Sequence, residues 1–113
     1  MTVRLLNAAV MPVAGDYRIR QVSAIRFAQL VRQHAAAKTL VSYVGYPECA
    51  RLLEELCEVP IELNRSITEV RDGDTLLIAR LVYRVANPVA KGQVKATLAD
   101  YEFFQADYSA PKD

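Results

Sequence analysis

The segment Val41-Ser42-Tyr43-Val44-Gly45-Tyr46-Pro47-Glu48 constrains this chain more than any other. An apolar run stops at glycine and enters a helix with proline at the first helical position. Proline there loses only an N–H that the helix would leave unpaired anyway. A strand that feeds a helix in this way belongs to a sheet with helices packed on it. The junction also exposes backbone N–H groups at the helix start, and these attract anions such as phosphate. Tyr46 stands at that mouth, either as a surface turn residue or as a group that stacks on a base or bonds a phosphate. Glu48 in the first turn stabilises the helix dipole and would compete with an incoming anion.

The elements around this junction follow from periodicity and punctuation. Val3 to Val10 is an apolar run that reads as a buried strand, with Asn7 as its polar interruption. A buried asparagine needs partners, so Asn7 is either a structural anchor or a ligand contact. Met11 to Gln21 holds Pro12 and Gly15 and reads as a loop with room for a short extended piece. Ser23 is a fitting N-cap for a helix over Ala24–Ala37, with Phe27, Leu30, Val31 and His34 toward the core. His34, near the helix end, reads as a capping or packing residue. Thr39–Val44 is the second strand, and Pro47–Cys57 the second helix, burying Cys49, Leu52, Leu53 and Leu56.

Ile61 to Val70 alternates and predicts a strand. Asp72-Gly73 then predicts a hairpin into a partner strand over Thr75–Val85. Asn87-Pro88 ends that strand. A connector over 89–100, with a short helix near Val94–Ala99, leads to a last aromatic strand over Tyr101–Asp107. The expected architecture is α+β: a mixed sheet of about five strands with two main helices, in a single domain over 1–108 with a frayed tail over 109–113.

A chain of 113 residues, 52% apolar, can bury a sizeable core in one domain. Its net charge of +1 gives no general reason to expect a protein that coats nucleic acid or a membrane surface. Arg4 interrupts the first apolar run, and no run approaches the roughly 20 residues needed to cross a bilayer. Cys49 and Cys57 fall about 12 Å apart along one helix, too far to bridge. With one histidine and two cysteines, no metal or other cofactor is expected. The expected setting is a reducing cytoplasm, in a cell or an infected host.

Arg80 and Arg84 share one face of an otherwise apolar strand, about 13 Å apart. Three readings stand: the guanidinium forks recognise phosphate, Glu62 or Glu69 on a neighbouring strand pairs with them, or they simply face solvent. Tyr17, Tyr43 and Tyr83 offer further stacking surfaces or are packing residues. The sequence carries no Gly-rich phosphate loop, no Ser/His/Asp set and no paired-carboxylate signature.

The order of segments adds a further observation. Leu6-Asn7-Ala8 is followed by the Val44-Gly45-Tyr46 turn, then by Leu52-Leu53 and Leu56-Cys57, and then by Asn64-Arg65. A hairpin leads into a strand carrying Arg84, and an aromatic strand over Tyr101–Phe104 closes the series. Over nearly its whole length this resembles a family of small proteins first seen in archaeal viruses, whose members include type III anti-CRISPR ring nucleases. The resemblance implies a mixed sheet with flanking helices, assembled as a homodimer. It implies cyclic tetra-adenylate as ligand, bound across the two-fold axis, where an isologous dimer offers the same patch twice. It also implies cleavage without metal: a ribose 2′-hydroxyl attacks the adjacent phosphate and leaves a 2′,3′-cyclic phosphate.

By this resemblance Asn7 and Gly45 fall on ligand-binding positions, and Arg84 on the arginine that stabilises the phosphorane. Arg80 takes the place of a glutamine. Tyr46 stands where the family has its catalytic histidine, Val10 where it has a serine, and Asn87 where it has a glutamate. Loss of the histidine removes a general-acid contribution of roughly 10²–10⁴-fold. The expected function is therefore binding of cyclic oligoadenylate with slow, metal-independent cleavage, or sequestration alone, damping type III CRISPR signalling. The same chemistry would serve a viral inhibitor or a host enzyme. The expected partners are that second messenger and a second copy of the chain, with no membrane and no nucleic acid. The alternative is a non-enzymatic accessory module that binds nucleic acid or protein.

Overall fold

The computed structural model describes residues 2–8, 13–66, 69–82 and 98–111. The elements run β1 (Val3–Leu6), β2 (Asp16–Val22), α1 (Ala24–Ala36), β3 (Leu40–Tyr43), α2 (Pro47–Cys57), β4 (Thr75–Leu81), a 3₁₀ turn (Leu98–Asp100) and β5 (Tyr101–Ser109). The five strands form one mixed sheet in the order β2-β5-β4-β1-β3. β1 lies parallel to both β3 and β4, while β5 runs antiparallel to β4 and β2. This is the α+β architecture expected from the sequence. No helix among the described residues is long and apolar enough to cross a membrane.

Local chemistry sets the helix ends. Ser23 is extended, and its hydroxyl accepts the Arg26 N–H at 3.1 Å, satisfying one of α1's orphan donors. At the other end His34 Nδ1 meets the Thr39 hydroxyl at 3.1 Å, so this histidine ties the helix to the start of β3. Pro47 opens α2, and Glu58 closes it in the left-handed region at φ 59°, its N–H donating to Glu54 O at 2.9 Å.

Strand alternation divides the core. Val3, Leu5, Leu77, Ala79 and Phe103 point to one face, where Phe27, Leu30 and Val31 of α1 and Cys49, Leu53 and Cys57 of α2 cover them. Leu6, Leu76, Ile78 and Ala106 form a second cluster on the opposite face. Both thiols are buried and free, and burial pushes Cys57 up to about 11.

Three expectations change. The loop over Met11–Gln21, with room for a short extended piece, gives way to a full strand over Asp16–Val22; five of its seven residues are exposed, so burial leaves no alternating pattern to read. Ile61–Val70 is not the partner of β4. Leu63 makes one isolated parallel bridge to Val44, and residues 67–68 lie outside the described set. The Asp72-Gly73 turn does form, with Gly73 at φ +87°, but it delivers the chain into a strand already flanked by β1 and β5. A central strand buried from Thr75 to Ala79 has no free side for a hairpin mate.

Boundaries also shift. β1 ends at Leu6, and β4 ends at Leu81. β5 continues to Ser109, which pairs with Asp16, and the Ala110 N–H donates to Asp72 at 2.9 Å. The expected short helix near Val94–Ala99 falls mostly on residues 83–97, which lie outside the described set; Leu98–Asp100 forms a 3₁₀ turn.

Candidate functional site

Three parallel strands end at the same edge of the sheet, and ligand sites in such sheets form outside the carboxyl ends of the strands. Asn7 follows β1, Gly45 and Tyr46 follow β3, and Arg80 lies near the end of β4. The Asn7 side-chain oxygen accepts the Gly45 N–H at 3.2 Å. Asn7 is thus an anchor that joins two strand ends, and it engages one backbone donor of the junction. Tyr46 is the extended N-cap of α2, makes no side-chain cap bond and is 65% exposed. The first-turn N–H groups of α2 keep the open character of any helix start.

The wall of the site is a segment that sequence periodicity assigns to a strand. Asn64 fastens it to β3: its N–H donates to Val44 O at 2.8 Å, and its amide nitrogen donates to Ser42 O at 3.0 Å. The Asn64 side-chain oxygen accepts the Ser66 N–H at 2.9 Å, turning the chain outward. The Ser42 hydroxyl donates to Glu62 O at 2.6 Å. Arg65 then reaches back, its Nε donating to Gly45 O at 2.8 Å. A Cβ at Gly45 would stand 3.3 Å from Arg65 Cγ, so glycine permits this close approach. Tyr43, Gly45, Tyr46, Asn64, Arg65 and Ser66 enclose an open cleft of about 330 Å³.

Tyr43 is held from behind. Arg4 Nη1 donates to the Tyr43 hydroxyl at 3.2 Å, and the guanidinium carbon lies 5.9 Å from the ring centroid. Arg4 is itself buried and pairs through Nε with Asp74 at 3.0 Å. Burial alone would raise the Asp74 pKa, but the Arg71 N–H at 2.8 Å and the Arg4 guanidinium outweigh it and hold the carboxyl below its ordinary value. The buried arginine that interrupts the first apolar run is therefore a strut, linking the start of β4 to the aromatic wall of the cleft.

The structure brings together Asn7, Gly45 and Tyr46. Arg80 does not line the cleft. It sits on the sheet face away from the helices, pairs with Glu102 at 3.2 Å and lies over Phe104. Its carboxylate partner comes from β5, not from Glu62 or Glu69, because β5 is the neighbour of β4 on that side. Val10, Tyr83, Arg84 and Asn87 lie outside the described residues. Tyr17 packs on Tyr108, with ring centroids 4.9 Å apart, and takes no part in the cleft. His34, at the opposite end of β3, cannot supply an imidazole here. Among the described residues, no group of three or more His, Cys, Asp or Glu side chains is placed to hold a metal ion.

Arg65 is the site residue that sequence reasoning did not select. Alternation placed it on one face with Ile61 and Leu63, as if in a strand. The signal that identifies it is Asn64-Arg65-Ser66, where an asparagine that can cap a strand edge and start a turn projects the next side chain outward.

A sequence-family model, STIV B116-like, matches residues 3–109. The chain belongs to the STIV B116-like family. The fold is similar to that of B116 of Sulfolobus turreted icosahedral virus, with a TM-score of 0.76 and 17% identity, over 94% of this chain and 98% of that one. At that identity the likeness concerns the fold. No curated protein sequence matches the chain. In this STIV B116-like protein, Tyr46 and Arg65 furnish the carboxyl edge of the parallel strands.

Proposed function

We propose that this STIV B116-like protein binds cyclic oligoadenylate, with cyclic tetra-adenylate as the favoured ring, as a homodimer. It cleaves the ring slowly without metal or sequesters it, and so damps type III CRISPR signalling. The observation that carries this reading is the Arg65 guanidinium, tethered by one nitrogen to Gly45 O beside the exposed Tyr46 ring, in an open cleft at the strand ends. An arginine fixed through Nε keeps its two terminal nitrogens for a phosphate. A flanking tyrosine offers a stacking surface to a base.

In this reading Arg65 holds a phosphodiester, Tyr46 stacks on an adjacent base, and Asn7 keeps the junction rigid. Arg84 supplies the charge that stabilises the phosphorane, and Asn87 contributes a polar contact. Attack by a ribose 2′-hydroxyl needs in-line geometry above all, and positioning alone accelerates it. The leaving 5′-oxygen needs a proton, and a phenol is a weaker acid than imidazolium for that task near neutral pH. Turnover is therefore slow, and retention of the ring becomes the larger effect.

The test is incubation of the purified protein with cyclic tetra-adenylate in EDTA, with chromatography of products and a parallel binding titration. Linear products ending in a cyclic phosphate, or tight binding without products, support the reading. Arg65→Ala should weaken binding roughly tenfold, the loss of one charge-assisted contact. The absence of both binding and cleavage would discard it.

A further inference from the structure

Among the described residues no strand pairs with the outer edge of β2, and the hydrogen-bond phase of the sheet fixes which groups that edge offers. Just before β5, Asp100 O accepts the Val82 N–H at 2.9 Å, and within β5 the Tyr108 N–H donates to Asp74 O at 3.0 Å. Even-numbered residues of β5 therefore direct their backbone groups toward β4. Alternate residues of an extended strand point their N–H and C=O to opposite sides, so Phe103, Gln105, Asp107 and Ser109 face β2. Their register partners Val22, Arg20, Arg18 and Asp16 face back. Tyr17, Ile19 and Gln21 are left with N–H and C=O directed out of the sheet. Among the described residues no hydrogen bond reaches these outward groups.

The side chains give this edge a chemical preference. Arg18 and Arg20 stand on one face, both exposed, and among the described residues neither forms an ion pair. Asp107, opposite Arg18, is engaged by the Thr75 hydroxyl at 3.1 Å, and Gln105 stands opposite Arg20. Asp16 is the one acidic group of β2, at its start. On the other face Ile19 is 50% exposed between Tyr17 and Gln21. A row of unpaired amides, two unpaired cations on one side and an apolar side chain on the other form a template for one more strand.

We propose that β2 docks an extended acidic peptide segment of a partner protein, which adds to the sheet as a sixth strand. Two alternate carboxylates of that segment face Arg18 and Arg20, and an apolar residue covers Ile19. A second copy of this chain fits poorly. In the full-length antiparallel register about Ile19, Arg18 falls opposite Arg20 of the other copy, twice, and like charges directly opposed are destabilising. A nucleic acid would meet the arginines but has no alternating N–H and C=O groups for the outward amides.

The test is an anisotropy titration at low ionic strength with two labelled peptides. One alternates valine with aspartate; the other alternates valine with lysine. The aspartate peptide should bind about tenfold tighter, the scale of two cross-strand charge pairs. Ile19→Pro removes one outward N–H and no inward bond, a substitution that edge strands tolerate, and it should weaken that binding several-fold. Arg18→Glu combined with Arg20→Glu should invert the preference toward the lysine peptide. If neither peptide binds, the arginines only guard the edge against aggregation and the proposal falls. It also falls if a folded Ile19→Pro variant binds as well as the parent, since attraction is then charge alone. Should Ile19→Pro fail to fold, the charge-reversed variant decides, and an unchanged preference overturns the proposal.

Discussion

The two edges of the sheet solve one problem in opposite ways. On the β3 edge an irregular segment takes the outward carbonyls of Ser42 and Val44 through Asn64, and the strand's own Ser42 hydroxyl accepts the Val44 N–H at 3.3 Å. On the β2 edge nothing among the described residues covers the strand, and charge stands in for cover. The sealed edge also builds the cleft, because the segment that closes β3 is the one that delivers Arg65. The difference teaches that an edge capped by side-chain amides becomes a rigid wall for a site, whereas an edge left open stays available for pairing.

The centre of the sheet sets the scale for judging either edge. Asp74→Ala should destabilise by about 3–5 kcal/mol in chemical denaturation, since it leaves the buried Arg4 charge without its carboxylate. The Asp74 carboxyl titrates lower in the folded protein than in the unfolded chain. Its contribution is therefore fully present above about pH 4 and is lost as pH falls through the folded-state value. Denaturation midpoints of the parent and of Asp74→Asn should accordingly converge below about pH 4; a gap that stays constant in acid would remove the ion pair from the account.

Next in size is the sealed edge. Asn64→Ala deletes two side-chain hydrogen bonds and should cost about 2 kcal/mol. It should also weaken oligoadenylate binding by loosening Arg65, so lost stability with intact binding would separate wall from site. The smallest effect belongs to the open edge. Gln21→Ala removes one exposed contact to Glu102 and should shift stability by no more than about 0.5 kcal/mol. A loss as large as that of Asn64→Ala would show that the β2 edge is structurally closed after all.

The same contrast explains what the sequence made legible. α2 was readable at both ends, because Pro47 fixes its start and its apolar stripe runs out at Cys57. The Ser23 cap and the aromatic β5 were equally plain. The two edges misled in opposite directions. Residues 61–66 alternate in sequence, yet only Ile61 is buried and they share one bridge with β3, so their pattern imitates a strand. β2 is a true strand whose faces are both largely wet, so no burial pattern marks it. The site divided along the same line. Asn7, Gly45 and Tyr46 belong to regular strand ends and could be found from the junction. Arg65 depends on a tertiary anchor through Asn64 and Gly45, which no local period encodes.

The position of β2 also bears on how the chain is made. β1 can take β3 as its neighbour once Tyr43 has left the ribosome, and β4 follows on its other side. β2 is finished early, at Val22, but among the described residues its one neighbour in the sheet is β5, the latest of the five strands in chain order. Until β5 emerges it therefore has no partner among the described strands, the condition in which strands pair wrongly. The charged and exposed composition that hides β2 from a reading of hydrophobic pattern is what lets it wait.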